Sequence, residues 1–174
     1  RSSVVSHAKT LGYIPNSPRA PIANVNVTLN NIGALTNATI PVGTIFTTVI
    51  DSVNYQFVTV SEHTAQTVNG VLTFSNIPIY EGTYVTNRYT VDTNNVDQKF
   101  YVNDENGDTT TLIVDVFDNA SSTVSTTFTQ ALDTTQVGAN SNVYFLQESV
   151  DGKFEVYFGD GIVGRAVSDN NIVV

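Results

Sequence analysis

Hydrophobic and polar residues change their period once along this chain. In the first dozen residues Val4, Val5, Ala8 and Leu11 fall on one face at the i, i+1, i+4, i+7 spacing, which predicts a short helix within residues 1–14. Lys9 in its last turn, Gly12 at the left-handed C′ position, and Pro15 and Pro18 beyond it supply the stop signals. A helix this short is marginal alone and needs a surface to dock on.

From Ile22 the period becomes two. Val25, Val27 and Leu29 alternate with Asn24, Asn26, Thr28 and Asn30, the signature of a half-buried strand. Further strands are predicted over 45–50, 55–60, 71–74, 88–91, 99–102, 110–117, 123–129, 143–148 and 153–158. Val, Ile, Thr, Tyr and Phe dominate them, and such side chains pack well across a pleated surface. Asn69-Gly70, Asn106-Gly107 and Asp151-Gly152 read as tight turns, because these dipeptides take the positive φ values a hairpin needs. The last sits between two matched strands and places Phe154, Val156 and Phe158 on a core face. Glu155 and Tyr157 then lie on the opposite face, where Glu155→Ala should cost little. Dense short strands without intervening helices predict a mainly β fold: antiparallel β-sandwich or barrel-like lobes with a short N-terminal helix. The Asn-rich stretch 91–96 separates two expected lobes, 20–92 and 97–174, which alternatively form one continuous β domain.

The chain has 174 residues, enough to bury a real core without metal or disulfide. It has no Cys, which excludes disulfide frameworks, zinc fingers and thiol nucleophiles. Charged residues are only 13% of the chain and the net charge is −9, so counterion release cannot drive binding to a phosphate backbone and nucleic acid is not an expected partner. No apolar run approaches the roughly 20 residues of a membrane-spanning helix, so no membrane association is expected either. The chain starts at Arg1 and contains no Met, so it is expected to be a segment of a longer protein.

Candidate chemistry is thin. Asp104, Asn106 and Asp108 alternate like the start of a calcium loop, with Asp115 at the twelfth position. That position calls for a bidentate Glu, however, and the sixth calls for Gly where the chain has Thr109. A solvated hairpin turn is the preferred reading. His7 and His63 are the only histidines, one in the expected helix and one in a polar loop, with no metal-binding spacing. No Ser has a nucleophile-elbow context. Gly159, Gly161 and Gly164 include a G-x-G but follow a hairpin rather than opening a helix, so they read as a tight reversal after Phe158, not a phosphate cradle. No catalytic, cofactor or metal residue is assigned.

Five segments carry a resemblance. Asp151-Gly-Lys-Phe-Glu-Val-Tyr-Phe-Gly-Asp-Gly-Ile-Val-Gly-Arg165 resembles the D-G-x-x-x-V-x-F-G-D-G-x-x-G signature of baseplate wedge and baseplate J-like proteins of contractile phage tails. Ala8-Lys-Thr-Leu-Gly-Tyr-Ile-Pro-Asn-Ser-Pro-Arg-Ala20 is similar to the helix and "LGY-P-S" segment before that family's first strand. Pro41-Val-Gly-Thr-Ile-Phe46 resembles its "I-P-x-G-T-x-F" turn, and Tyr80-Glu-Gly-Thr83 and Gln98-Lys-Phe100 resemble segments of the wedge subunit. Where the J-like proteins often carry a Pro-rich turn, this chain continues Ala-Val-Ser-Asp-Asn-Asn after Arg165, which favours the T4-like wedge branch or a divergent relative over a generic J-like protein.

The resemblance implies a structural subunit of the tail baseplate, without catalysis or cofactor. It would be built into a sixfold plate against copies of itself and other wedge proteins, assembled in the host cytoplasm and located in the virion. Homo-oligomerisation is expected of the full-length protein. The other reading is a carbohydrate-binding β-sandwich module of a virion or secreted adhesin, with a soluble glycosidase third.

Overall fold

The computed structural model describes residues 17–149 and 152–174, so the helix expected within 1–14 lies outside the described residues. The described chain forms two compact units, Ala20–Val85 and Thr86–Val174, with residues 17–19 belonging to the second.

The first unit holds β1 (Ile22–Leu29), β2 (Asn37–Ile40), β3 (Ile45–Ile50), β4 (Val53–Val58), β5 (His63–Val68) and β6 (Val71–Glu81). They form one antiparallel sheet in the order β2-β5-β6-β4-β3, with β1 along the other side of β6. Leu72, Phe74, Ile77 and Ile79 of β6 are buried, and Val25, Val27, Ile40, Phe46 and Phe57 pack against them. This strand runs well past the 71–74 expected, because its alternation slips by one residue. Val25 pairs with Ile77 but Val27 with Phe74, so Ser75 and Asn76 bulge opposite Asn26. Asn76 takes φ 55° and its N–H donates to Asn26 Oδ1 at 2.7 Å. The bulge keeps apolar residues inward on both sides of the slip.

Two hairpins in this unit turn in two residues. Asn69 and Gly70 take φ 50° and 76° between the paired Val68 and Val71, as their sequence implies. Asp51 and Ser52 do the same between Ile50 and Val53, at φ 49° and 66°. His63, expected in a loop, opens β5 opposite Ile40, because Thr64–Thr39 and Ala65–Ala38 pairs continue the ladder beyond it.

The second unit holds β7 (Tyr89–Thr90), β8 (Phe100–Val102), a 3-10 turn (Thr109–Thr111), β9 (Val114–Phe117), β10 (Ser125–Gln130), β11 (Val143–Glu148), β12 (Phe154–Phe158) and β13 (Ile172–Val173). Its sheet runs β7-β13-β9-β10-β11-β12-β8 and curls into a nearly closed, barrel-like form. The edge strands meet through side chains: Tyr89 Oη donates to the Tyr101 carbonyl at 2.8 Å, and the Tyr89 and Phe100 rings meet edge to face at 5.7 Å. Phe158, partly buried, touches Phe100 and Phe128 edge to face at 5.5 and 5.3 Å and packs against a core that includes Val114, Val116, Tyr144, Leu146, Phe154 and Val156.

Four expectations need correction here. The ladder is not antiparallel throughout: β10 and β11 pair parallel through Thr129–Val143 and Gln130–Tyr144. The connection over 131–142 has the dozen or so residues that a parallel return requires. Residues 110–113 are not strand, because Asp108 caps the 3-10 turn by accepting from Thr110 N at 2.9 Å. Asn106-Gly107 is not a two-residue hairpin; Asp104 directs that loop, its Oδ1 accepting from Asn106 N and its carbonyl from Gly107 N. Glu155 is not a solvated side chain. It is buried to 7% exposure and accepts from Lys99 Nζ at 3.2 Å, because the β8 register places Tyr101 across from it and brings Lys99 alongside.

Candidate assembly surface

Three of the segments singled out in the sequence, at 41–46, 98–100 and 159–165, are built as structural joints, while residues 8–16 of the segment at 8–20 lie outside the described residues. In Pro41-Val-Gly-Thr44, Gly43 takes φ 77° and its N–H donates to the Thr59 carbonyl at 2.8 Å. Thr59, with no exposed surface, donates its hydroxyl to the Pro41 carbonyl at 2.7 Å and accepts from Thr44 N at 3.0 Å. One hydroxyl therefore satisfies two backbone groups at the entrance to β3.

In the loop after β12, Asp160 Oδ1 accepts from Ile162 N at 2.9 Å and Val163 N at 3.0 Å. Those N–H groups, Val163 first and then Ile162, hold the Asp160 carboxyl below its ordinary range. Gly161 and Gly164 take φ 85° and 87°. Gly159 is needed for another reason: a Cβ there would lie 2.3 Å from the Gly164 backbone. The loop is tied to the 138–142 segment by Gly164 N to the Gly138 carbonyl and Arg165 N to the Ser141 carbonyl. All these bonds close the fold, which agrees with the expected reversal after Phe158.

Gln98-Lys-Phe100 is equally structural. Gln98 accepts from Asp92 N and donates to the Thr90 carbonyl, Phe100 enters the core, and Lys99 meets Glu155. The Glu155 carboxylate, by accepting that hydrogen bond, holds the Lys99 ammonium above its ordinary pKa of 10.5.

The residues of the calcium-like run are separated. Asp104 and Asp108 serve their own turns, while Asp115 Oδ1 accepts from Thr127 Oγ1 at 2.6 Å across β9 and β10. His63 Nε2 lies 3.1 Å from Ser61 Oγ on the surface. His7 lies outside the described residues.

What sequence inspection passed over is a surface. Between Ala20 and Val85 the charged side chains are Asp51, Glu62 and Glu81, with no Lys or Arg. Yet most exposed large apolar side chains among the described residues belong to this unit, including Ile22, Ile45, Val49, Ile50, Val53 and Val68. They concentrate on the β3–β4 hairpin, where β4 joins β6 only through Phe57 and Val58. Beyond Gln56 the hairpin has two strands, which are marginal without a covering surface. Ile50 and Val53 pair across its end at 55% and 51% exposure, and β3 presents an uncharged edge. Free-standing sheets normally guard such edges with Lys, Pro or short length. The signal was present in the sequence as missing charge, not as any motif.

A family model described as bacteriophage baseplate wedge protein gp6, third domain, matches residues 85–173. The match takes in the Gln98–Phe100 and 151–165 segments and stops short of those at 8–20, 41–46 and 80–83. Comparison with curated proteins finds no match.

Proposed function

The chain belongs to the family of the bacteriophage baseplate wedge protein gp6, and from that membership we propose that it works by assembly, as a wall element of the tail baseplate wedge rather than as a catalyst. The near-chargeless Ala20–Val85 unit carries the proposal: few ions must be desolvated when it is covered, and interface cores are depleted of charge. The contact is assigned to the β3–β4 hairpin, with Ile50, Val53 and the β3 edge facing a neighbouring wedge protein or a second copy of this chain. The more acidic Thr86–Val174 unit, which carries four basic and thirteen acidic side chains, repels copies of itself.

Ile50→Lys and Val53→Lys test this in the full-length protein co-expressed with its wedge partners. Both positions are exposed, so circular dichroism should be unchanged while affinity in sedimentation or co-purification falls about tenfold or more. Unchanged association would remove this face from the assembly.

A further inference from the structure

Two Asn-Gly pairs in this chain differ in what surrounds the glycine nitrogen, and that difference has chemical consequences. Asn69 and Gly70 are exposed at the β5–β6 turn, and the Gly70 N–H makes no hydrogen bond among the described residues. At Asn106-Gly107, the Gly107 N–H is held by the Asp104 carbonyl at 3.2 Å and the Asn106 N–H by Asp104 Oδ1 at 2.8 Å. The Asp160-Gly161 pair, open to the related dehydration, is closed twice: Gly161 N donates to the Gly164 carbonyl, and the Asp160 carboxylate is occupied by two N–H groups.

We propose that Asn69 is a site of spontaneous deamidation in the folded protein, with the Gly70 backbone nitrogen as nucleophile. Glycine has no side chain to hinder attack, and Gly70 at φ 76° has nothing within 4 Å of where a Cβ would stand. Gly70 N attacks Asn69 Cγ; the N–Cγ bond forms, the Cγ–Nδ2 bond breaks, and ammonia leaves with the proton that Gly70 N loses. Water then opens the succinimide. Attack at Cγ gives Asp, and attack at the backbone carbonyl gives isoaspartate, which carries an extra methylene through the turn and opposes the Val68–Val71 pairing. Either product adds a negative charge to a unit that has three.

The test follows both Asn-Gly pairs by peptide mapping and mass spectrometry of the intact chain in mildly alkaline buffer, native and in concentrated urea. Dividing each native rate by its own rate in urea removes the effect of flanking residues. The protected ratio at Asn106 should fall about two- to tenfold below that at Asn69, the range set by one net backbone hydrogen bond. Equal ratios, or faster native conversion at Asn106, would overturn the assignment. So would an Asn69 preference that persists undiminished in urea, since the folded turn would then have no part in it.

Discussion

Three glycines share the loop after β12, and the structure assigns them different reasons for being glycine. Gly161 has φ 85° with nothing within 4 Å of where a Cβ would stand, so its requirement is conformational only. An L-residue held in the left-handed region costs about 1–2 kcal/mol, and Asn tolerates that region better than Ala. Gly159 has no such φ, yet its Cβ would fall 2.3 Å from Gly164 C and O and 2.4 Å from the Val163 carbonyl. Those atoms are backbone, fixed by the Gly161 N to Gly164 O and Gly164 N to Gly138 O bonds, so relief requires moving the loop off the 138–142 segment. Overpacking of this kind costs about 1–3 kcal/mol where side chains yield, and the upper end or more is expected where only backbone can. With a urea slope near 2 kcal/mol/M, Gly159→Ala should lower the unfolding midpoint by about 1.5 M and Gly161→Ala by about 0.5–1 M. Gly161→Asn should recover part of the loss, whereas Gly159→Asn should be at least as damaging as Gly159→Ala. Urea unfolding followed by far-ultraviolet circular dichroism reads all four variants. If Gly159→Ala were the milder change, or Asn rescued position 159, the steric account of this loop would be wrong.

Other substitutions probe the remaining joints. Ser52→Gly should stabilise the first unit by about 0.5–1 kcal/mol in thermal unfolding, because Ser52 sits at φ 66° without the latitude of glycine. Thr59→Val keeps the shape but removes the hydroxyl that serves Pro41 and Thr44, and should cost about 1–3 kcal/mol. Asp160→Ala should be less stable than the parent above the ordinary carboxyl pKa of 3.8. Its folded pKa lies lower still, so that difference should shrink as the pH falls through the folded value, and a gap that widened in acid would contradict the Asp160 hydrogen bonds.

Strand content was legible wherever alternation was unbroken, as in β1, β3, β11 and β12. It failed where a local device interrupted the period. The Asn76 bulge hid the second half of β6, because Ile77 and Ile79 sit out of phase with Leu72 and Phe74. Strand β13 has two residues, too few for any pattern, yet Ile172 and Val173 pair on both sides with β7 and β9. Asp51-Ser52 turns as tightly as Asn69-Gly70 without the dipeptide that announces it. The burial of Glu155 escapes a reading of its own strand because its partner, Lys99, lies 56 residues away. The family signature was legible as a string, but the reasons for Gly159 and Gly161 lie in the folded loop. The assembly surface left only a faint trace, since a run without charge reads the same whether it is core or interface.

The direct measurement is the position of the protein in intact particles. Cryo-microscopy of purified virions, with the chain carrying a small dense label, should place it in the tail baseplate, beside other wedge proteins and with the β3–β4 hairpin covered. Labels spread along the tail tube, or a chain found in the host lysate and missing from virions, would contradict a baseplate role.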